Sequence, residues 1–458
     1  MDSLALYHRL PYSLRCVVAT GKGASLRYWR YGLGFEKLVE QVHERDQFSA
    51  AEWQDWQAEQ LARLLHRAAR QVPYYREMWA KRRQAGDRAS ADYLENWPIL
   101  RKETLRSTPK AFVVDDYPLN KLYRERTGGT TGTPLEIYLR RSTMQQWYAM
   151  YEARIRRWHD VSINDRWAIL GGQMVAPFAQ TTPPFWVRNF ALNQLYLSTH
   201  HLASQNAKAY LEQLHRYKPT HMVVYPSSAN VLAHHLLALG LTPPASLRVI
   251  FSNSEMLTQP QRETIEQAFG CPIVNTYGMG EFAAGGSEAK DGVFYLWPDV
   301  GLIETVGDES DEVLSEGEIG RFVVTGLLNQ DMPLIRYEVG DRGVIGPASD
   351  NRMFALPTID KIEGRLNDLI VTADGRKIFW LNPVFYNLPI QESQIVQHDL
   401  QTIEVKIVSS AQEDLESTII SRLQLRVGET VNVRVERVEK IERTQFGKLR
   451  AIISHVTQ

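Results

Sequence analysis

The sequence predicts an α/β fold: a large N-terminal α/β domain with parallel-rich sheets, followed by a small C-terminal α+β domain. Two observations carry this. Between residues 221 and 278 short apolar runs alternate with helix-patterned segments, the signature of βαβ units. After residue 290 the texture changes to Gly- and Asp-rich hairpin material, and the last hundred or so residues repeat a strand–helix–strand pattern of their own. A chain of 458 residues is too long for one ordinary core, so more than one domain is expected.

The elements follow in order. Ser49-Ala-Ala-Glu52 reads as a capping box, with Trp53, Trp56, Leu61, Leu64, Leu65 and Ala68 on one side of a helix that ends before Pro73. EIYLRR (136–141) reads as a short strand, and the segment 142–158 as a helix started by Ser142. HMVVYP (221–226), LRVIFSNSE (247–255) and CPIVNTYG (271–278) read as strands; SSANVLAHHLLALG and QPQRETIEQAFG read as the helices between them. Near the C-terminus QTIEVKIVSS and VNVRVERV alternate as half-buried strands, and Leu415, Ile419, Ile420 and Leu423 mark a helix between them.

Bulk composition is that of a soluble globular protein, 44% hydrophobic and 23% charged. A net charge of −1 argues against nucleic acid as a partner. With Cys16 and Cys271 alone, neither a disulfide framework nor a cysteine-built zinc site is expected, which suits a cytoplasmic location. No apolar run reaches the roughly eighteen residues of a transmembrane helix, and residues 1–30 lack the apolar stretch of a signal peptide. That segment is basic, with Arg9, Arg15, Lys22, Arg27 and Arg30 against Asp2. Peripheral contact with an anionic membrane is one reading of it, and a segment wrapped on the main body the simpler one.

Several stretches carry candidate chemistry. RTGGTTGTPLEI (126–137) suits neither helix nor strand, and its small residues fit a loop whose N–H and hydroxyl groups close around phosphate oxygens. It lacks the lysine of a Walker-type loop, and a Gly-Thr hairpin turn explains it equally well in isolation. Ligands of parallel sheets bind beyond the carboxyl ends of the strands, where Ser254 and Glu255 of SNSE and Asn275, Thr276, Tyr277 and Gly278 stand. In YGMGE an aromatic ring beside Glu281 suits a base and a magnesium ion held by one carboxylate. Asp341 in RYEVGD suits a pair of ribose hydroxyls, although in isolation a solvated Asp-Arg turn explains the segment better. Arg365 in IEGRLNDLI stands at the boundary between the two textures, and Lys448 in ERTQFGKLR follows a glycine near the end of the chain. His200 and His201 are not expected to share a metal, because adjacent strand residues point to opposite faces. The segments 147–158 and 171–178 read either as an acid pocket or as core.

In succession, TGGTTGTP, YGMGE, RYEVGD, GRLND and RTQFGK resemble the adenylate-forming superfamily of acyl-CoA synthetases, adenylation domains and luciferases. WPILRKETL and YPSSANVLA look like the phenylacetate-CoA ligase branch, and LYHRLPYSLR is similar to members associated with capsular polysaccharide synthesis. The resemblance implies an adenylate-forming fold with a large domain over 1–363, its first 95 residues helical, and a mobile lid over 364–458 hinged near 364–368. Thr127, Gly128, Gly129, Thr130, Thr131 and Gly132 would hold the β- and γ-phosphates of ATP, with Thr131 also catalytic. Tyr277 would border adenine, Glu281 would bind Mg²⁺, Asp341 would hold the ribose hydroxyls, Arg365 would contact ribose or phosphate, Asn367 would lie at the hinge and Lys448 would reach the reacting atoms. Thr133 stands where lysine is usual, Gly280 for threonine, Asn367 for aspartate or lysine and Phe446 for serine. The implied activity is activation of a small carboxylic acid as an acyl adenylate, followed by transfer to the thiol of coenzyme A. The alternatives are an amine or hydroxyl acceptor in surface polysaccharide synthesis, or nucleotide binding without turnover.

Overall fold

The computed structural model describes residues 3–126, 135–365, 369–378, 381–409, 411–444 and 447–456. The phosphate-type stretch Thr127–Pro134 and the positions Asn367 and Phe446 lie outside the described residues. The chain divides into two compact units, one of Met1–Ala24, Ile163–Asn275 and Glu363–Gln458, the other of Ser25–Ser162 and Thr276–Ile362.

The first unit is built on a six-stranded sheet in the order Trp186–Asn189, Gln194–Ser198, Trp167–Gly171, His221–Val224, Val249–Ser252, Ile273–Val274. Every neighbouring pair is parallel except the first. HMVV and VIFS are buried at every position, which is why they read as unbroken apolar runs rather than alternating ones. The helices Pro226–Ala238 and Gln259–Phe269 return the chain between these strands. Pro226 opens the first where its missing N–H costs nothing; Thr258 and Gln261 form a capping box on the second, and Gly270 ends it at φ 65°. The same unit holds a four-stranded sheet in the order Asn432–Arg437, Thr402–Val408, Glu392–Gln397, Ile452–Ser454. Ile419, Leu423 and Val427 of the helix Glu416–Val427 fill its core.

The second unit carries a seven-stranded sheet that runs from Gly301–Val306 at one edge to Thr276–Gly278 at the other. Behind the Ser49–Glu52 capping box, the helix Ala50–Gln71 buries Trp53, Leu64, Leu65 and Ala68, the stripe read from the sequence. The helix expected from Ser142 begins instead at Arg141, with Arg140 as a cap whose side chain pairs with Asp331 rather than with the helix's first N–H groups. Its final turns widen into a π-helix over Tyr151–Arg156. The wide turn carries Glu152, Arg154 and Arg156 inward, and Arg154 meets Asp46 at 2.8 Å and Asp299 at 2.6 Å. The segment 147–158 is thus largely interior, held by charge pairing as well as apolar packing.

Candidate active site

In the first unit the carboxyl ends of the parallel strands lead into polar turns, and Arg443, Gly447 and Leu449 near the C-terminus pack on them. Gly447, at φ 73°, lies so close to the turn after Trp167–Gly171 that a Cβ atom there would stand 2.7 Å from Gly172 Cα and 2.7 Å from Thr199 Oγ1. Only glycine fits both the left-handed backbone and the contact. The turn is closed by the Gly447 N–H donating to the Thr444 carbonyl at 2.8 Å and the Lys448 N–H donating to Thr444 Oγ1 at 3.2 Å. The ammonium of Lys448 stands 6.0 Å from the centre of the Tyr225 ring, at the end of the His221–Val224 strand.

Glu255 ties this arrangement together. Its Oε1 accepts the Leu449 N–H and its Oε2 accepts the Ser227 N–H, each at 3.0 Å. The carboxylate therefore joins the first turn of the helix Pro226–Ala238 to the residue after Lys448. Arg443 adds a second clamp: it donates to Ser227 Oγ at 2.9 Å and pairs with the buried Glu392. Burial pushes the Glu392 carboxyl up, against the pull of the Arg443 guanidinium. Ser254 adopts φ 64°, a left-handed conformation that turns the chain sharply after the strand Val249–Ser252. Asn275 accepts from Ser252 Oγ at 3.0 Å. Ser254, Glu255, Asn275 and Lys448 thus share the carboxyl end of one sheet.

His200 and His201 have separate partners. His201 Nε2 lies 3.0 Å from the Pro177 carbonyl, which can only accept, so Nδ1 accepts from the Ser198 hydroxyl at 2.8 Å. His200 Nε2 is buried with no hydrogen-bond partner among the described residues.

In the second unit, Thr276, Tyr277 and Gly278 form the edge strand of the seven-stranded sheet. The Tyr277 phenol donates to Asp341 Oδ2 at 2.8 Å, so these two predicted residues are in contact. Glu281 is buried; Tyr337 donates to its Oε1 at 3.2 Å, and Lys102 Nζ stands 3.6 Å from the same oxygen. Burial, with the Glu281 charge alongside, raises the Tyr337 phenol far above its ordinary range. It therefore stays a donor. Lys102 and Tyr337 are residues that sequence reasoning passed over. Lys102 lies in WPILRKETL and Tyr337 in RYEVGD, but neither spacing marks a partner 179 or 56 positions away. Arg365 ends the strand Thr358–Arg365. Among the described residues no group of three or more His, Cys, Asp or Glu could hold a metal.

Two family models match the chain, AMP-binding enzyme over residues 56–327 and CapK C-terminal domain over residues 370–455. Protein CapK of Staphylococcus aureus is 27% identical over 98% of this chain and 99% of its own length. A phenylacetate-coenzyme A ligase of Aromatoleum evansii is 25% identical over 87% of this chain and 93% of its own. The crystal structure of 2-hydroxyisobutyryl-CoA ligase in the postadenylation state superposes with a TM-score of 0.67 at 19% identity, covering 90% of this chain and 91% of that one. These findings agree on an α/β adenylate-forming fold and on ligase chemistry. The chain belongs to the AMP-binding enzyme family and is an adenylate-forming ligase.

Proposed function

We propose that this enzyme activates a small carboxylic acid with ATP and passes the acyl group to coenzyme A. A carboxylate oxygen attacks the α-phosphorus of ATP; the bond to the β-phosphate oxygen breaks and pyrophosphate leaves. The thiol of coenzyme A, having given up its proton, then attacks the acyl carbon, and AMP departs with the bonding electrons. The protein's task is to position the reactants and to offset charge as carboxylate and phosphate approach.

Lys448 supplies the cation for the first step. The observation that carries this reading is its turn, packed on the sheet ends through Gly447 and Glu255. Tyr277 and Asp341 form the nucleoside side of the site, with the carboxylate accepting ribose hydroxyls, and Arg365 serves as the cation for ribose or phosphate. Thr127, Gly128, Gly129, Thr130, Thr131 and Gly132 cradle the phosphates. Ser254, Asn275, Thr276 and Gly278 border the nucleotide. Residues 364–458 act as a lid about a hinge that includes Asn367. The residues fit a magnesium ion carried in with the triphosphate: among the described residues the contacts of Glu281, from Tyr337 and Lys102, fall on Oε1, and the carboxylate would serve as a single ligand. When bound, that ion neutralises phosphate charge; Tyr337 and Lys102 hold the carboxylate in place for it.

A second reading replaces the thiol with an amine or hydroxyl of a surface-polysaccharide precursor. It is favoured by the likeness to Protein CapK, which spans both chains almost end to end. In either case the reaction runs in the cytoplasm, where ATP is supplied. Pyrophosphate release across a panel of acids, with and without coenzyme A, tests the proposal. Release that continues to turn over only with the thiol supports the first acceptor. Turnover driven instead by an amine or a sugar supports the second, and no hydroxamate from any acid in the presence of hydroxylamine overturns both.

A further inference from the structure

The N-terminal helices present an outward face that the chemistry above does not use. Tyr12–Arg30 docks through one side: Arg15, Cys16 and Gly23 are buried, and Arg15 donates to the Val175 carbonyl at 3.1 Å. Cys16 packs with Val175, Val187 and Tyr196. On the opposite side Leu14, Val17, Val18 and Gly21, at i, i+3, i+4 and i+7, form a continuous stripe. Leu14 is 47% exposed, Val17 65% and Val18 47%, and Leu6 of the preceding helix is 55% exposed. A single exposed aliphatic residue is unremarkable, whereas a run of them at helical spacing marks an interaction surface.

Charge selects the partner. Lys22, one turn on from Val18, is exposed at the edge of the stripe, and Arg9 is exposed in the turn that precedes the helix. From residue 3 to residue 35 there is no aspartate or glutamate, the next being Glu36. A protein partner of ordinary composition would need no such one-sided exclusion of acid. An apolar stripe flanked by cations and free of carboxylates matches the boundary between acyl chains and negatively charged headgroups.

We propose that this helix face docks the enzyme on an anionic phospholipid bilayer, with Leu14, Val17 and Val18 entering the headgroup boundary and Arg9 and Lys22 meeting lipid phosphates. The inner side stays anchored on Val175, Val187 and Tyr196, so docking requires no unfolding. None of these residues belongs to the nucleotide site, and the proposal stands or falls apart from the reading of the reaction.

The test is co-sedimentation of the full chain with vesicles of pure phosphatidylcholine and of phosphatidylcholine mixed with phosphatidylglycerol. Binding to the mixed vesicles alone, weakening as salt rises, is expected. Val17→Asp should lower partitioning by about tenfold or more, and Lys22→Glu by about fivefold. Pyrophosphate release in solution should not change in either variant, which also reports that both are folded. Absence of binding to either vesicle, or equal binding by parent and Val17→Asp, overturns the proposal. So does a dimer in sedimentation velocity that Val17→Asp dissolves, because the stripe would then belong to a second copy of the chain.

Discussion

Glu255 accepts the Leu449 N–H on one carboxylate oxygen and the Ser227 N–H on the other, both at 3.0 Å. The residue next to the proposed catalytic lysine is therefore held through a side chain that stands at the end of a parallel strand. A neutral amide cannot take this place, because it would turn an NH₂ group toward one of two N–H donors. Glu255→Gln should lower pyrophosphate release by about ten- to a hundredfold, the scale of one hydrogen bond to a charged acceptor. The KM for ATP should change far less, since Tyr277 and Asp341, the residues proposed for the nucleoside, are untouched. Steady-state kinetics with ATP varied checks this, and an unchanged kcat would show that the tie does not position Lys448.

Arg154 is fully buried and pairs with two carboxylates, Asp46 and Asp299. Burial would raise the Asp299 carboxyl, but the Arg154 and Arg45 guanidiniums beside it hold it below the usual carboxylate range. Arg154→Met should destabilise the protein by about 3 to 5 kcal/mol, because it leaves two buried carboxylates short of their cation. Chemical denaturation would read this as a lower midpoint. A midpoint within error of the parent would mean that water or Arg45 compensates.

His43, His159, His200, His201, His234 and His235 all have pKa values lowered from 6.5, in each case chiefly by burial. A histidine with a depressed folded-state pKa binds its proton more readily when unfolded. Its contribution to stability is present above about pH 6.5 and is lost as pH falls through the folded value. Glu392, Glu304 and Asp331 are raised by burial and act in the opposite sense, in a window that opens nearer the ordinary carboxylate range. The melting temperature should therefore fall between pH 7.5 and pH 5.5 before the carboxylates begin to offset it. A flat profile across that interval would contradict the burial of these imidazoles.

Much of the first unit was legible in the sequence because its parallel strands announce themselves. HMVV and VIFS are unbroken apolar runs closed by polar turns, and the segments that follow them carry the apolar spacing of helices, as the helices Pro226–Ala238 and Gln259–Phe269 bear out. The π-helical turn over Tyr151–Arg156 was not legible. The sequence there has good helical spacing, and the wider turn coincides with the need to bring Arg154 to Asp46, which lies 108 positions earlier. The candidate site divides in the same way. Tyr277, Glu281, Asp341 and Lys448 sit in short motifs with a fixed order, whereas Lys102 and Tyr337 act on Glu281 through contacts that no local pattern encodes. Glu255 was expected at the nucleotide because it ends a strand. Its two backbone partners reveal a task that only the fold could show.

Gly447 offers a separation between placing Lys448 and having it. Any Cβ at this position would meet backbone as well as side chain, at 2.7 Å from Gly172 Cα, and φ is 73°. Neither obstacle yields to a rotamer change, so Gly447→Ala must lift the turn away from the sheet ends. The contact lies at the surface of the four-stranded module rather than within its core of Ile395, Val405, Ile419 and Leu423, and thermal stability should change little. Lys448→Ala removes the ammonium but leaves the turn seated, and should slow adenylation by about 10² to 10³, the effect of losing one preorganised charge donor. Gly447→Ala should approach the same loss. The double variant should then be little slower than either single one, because both remove the same interaction. Pyrophosphate release in the three variants, each with its melting temperature, measures this. Multiplying effects would mean that the turn and the ammonium serve different steps, and the packing of residue 447 on Gly172 would then have to be explained without Lys448.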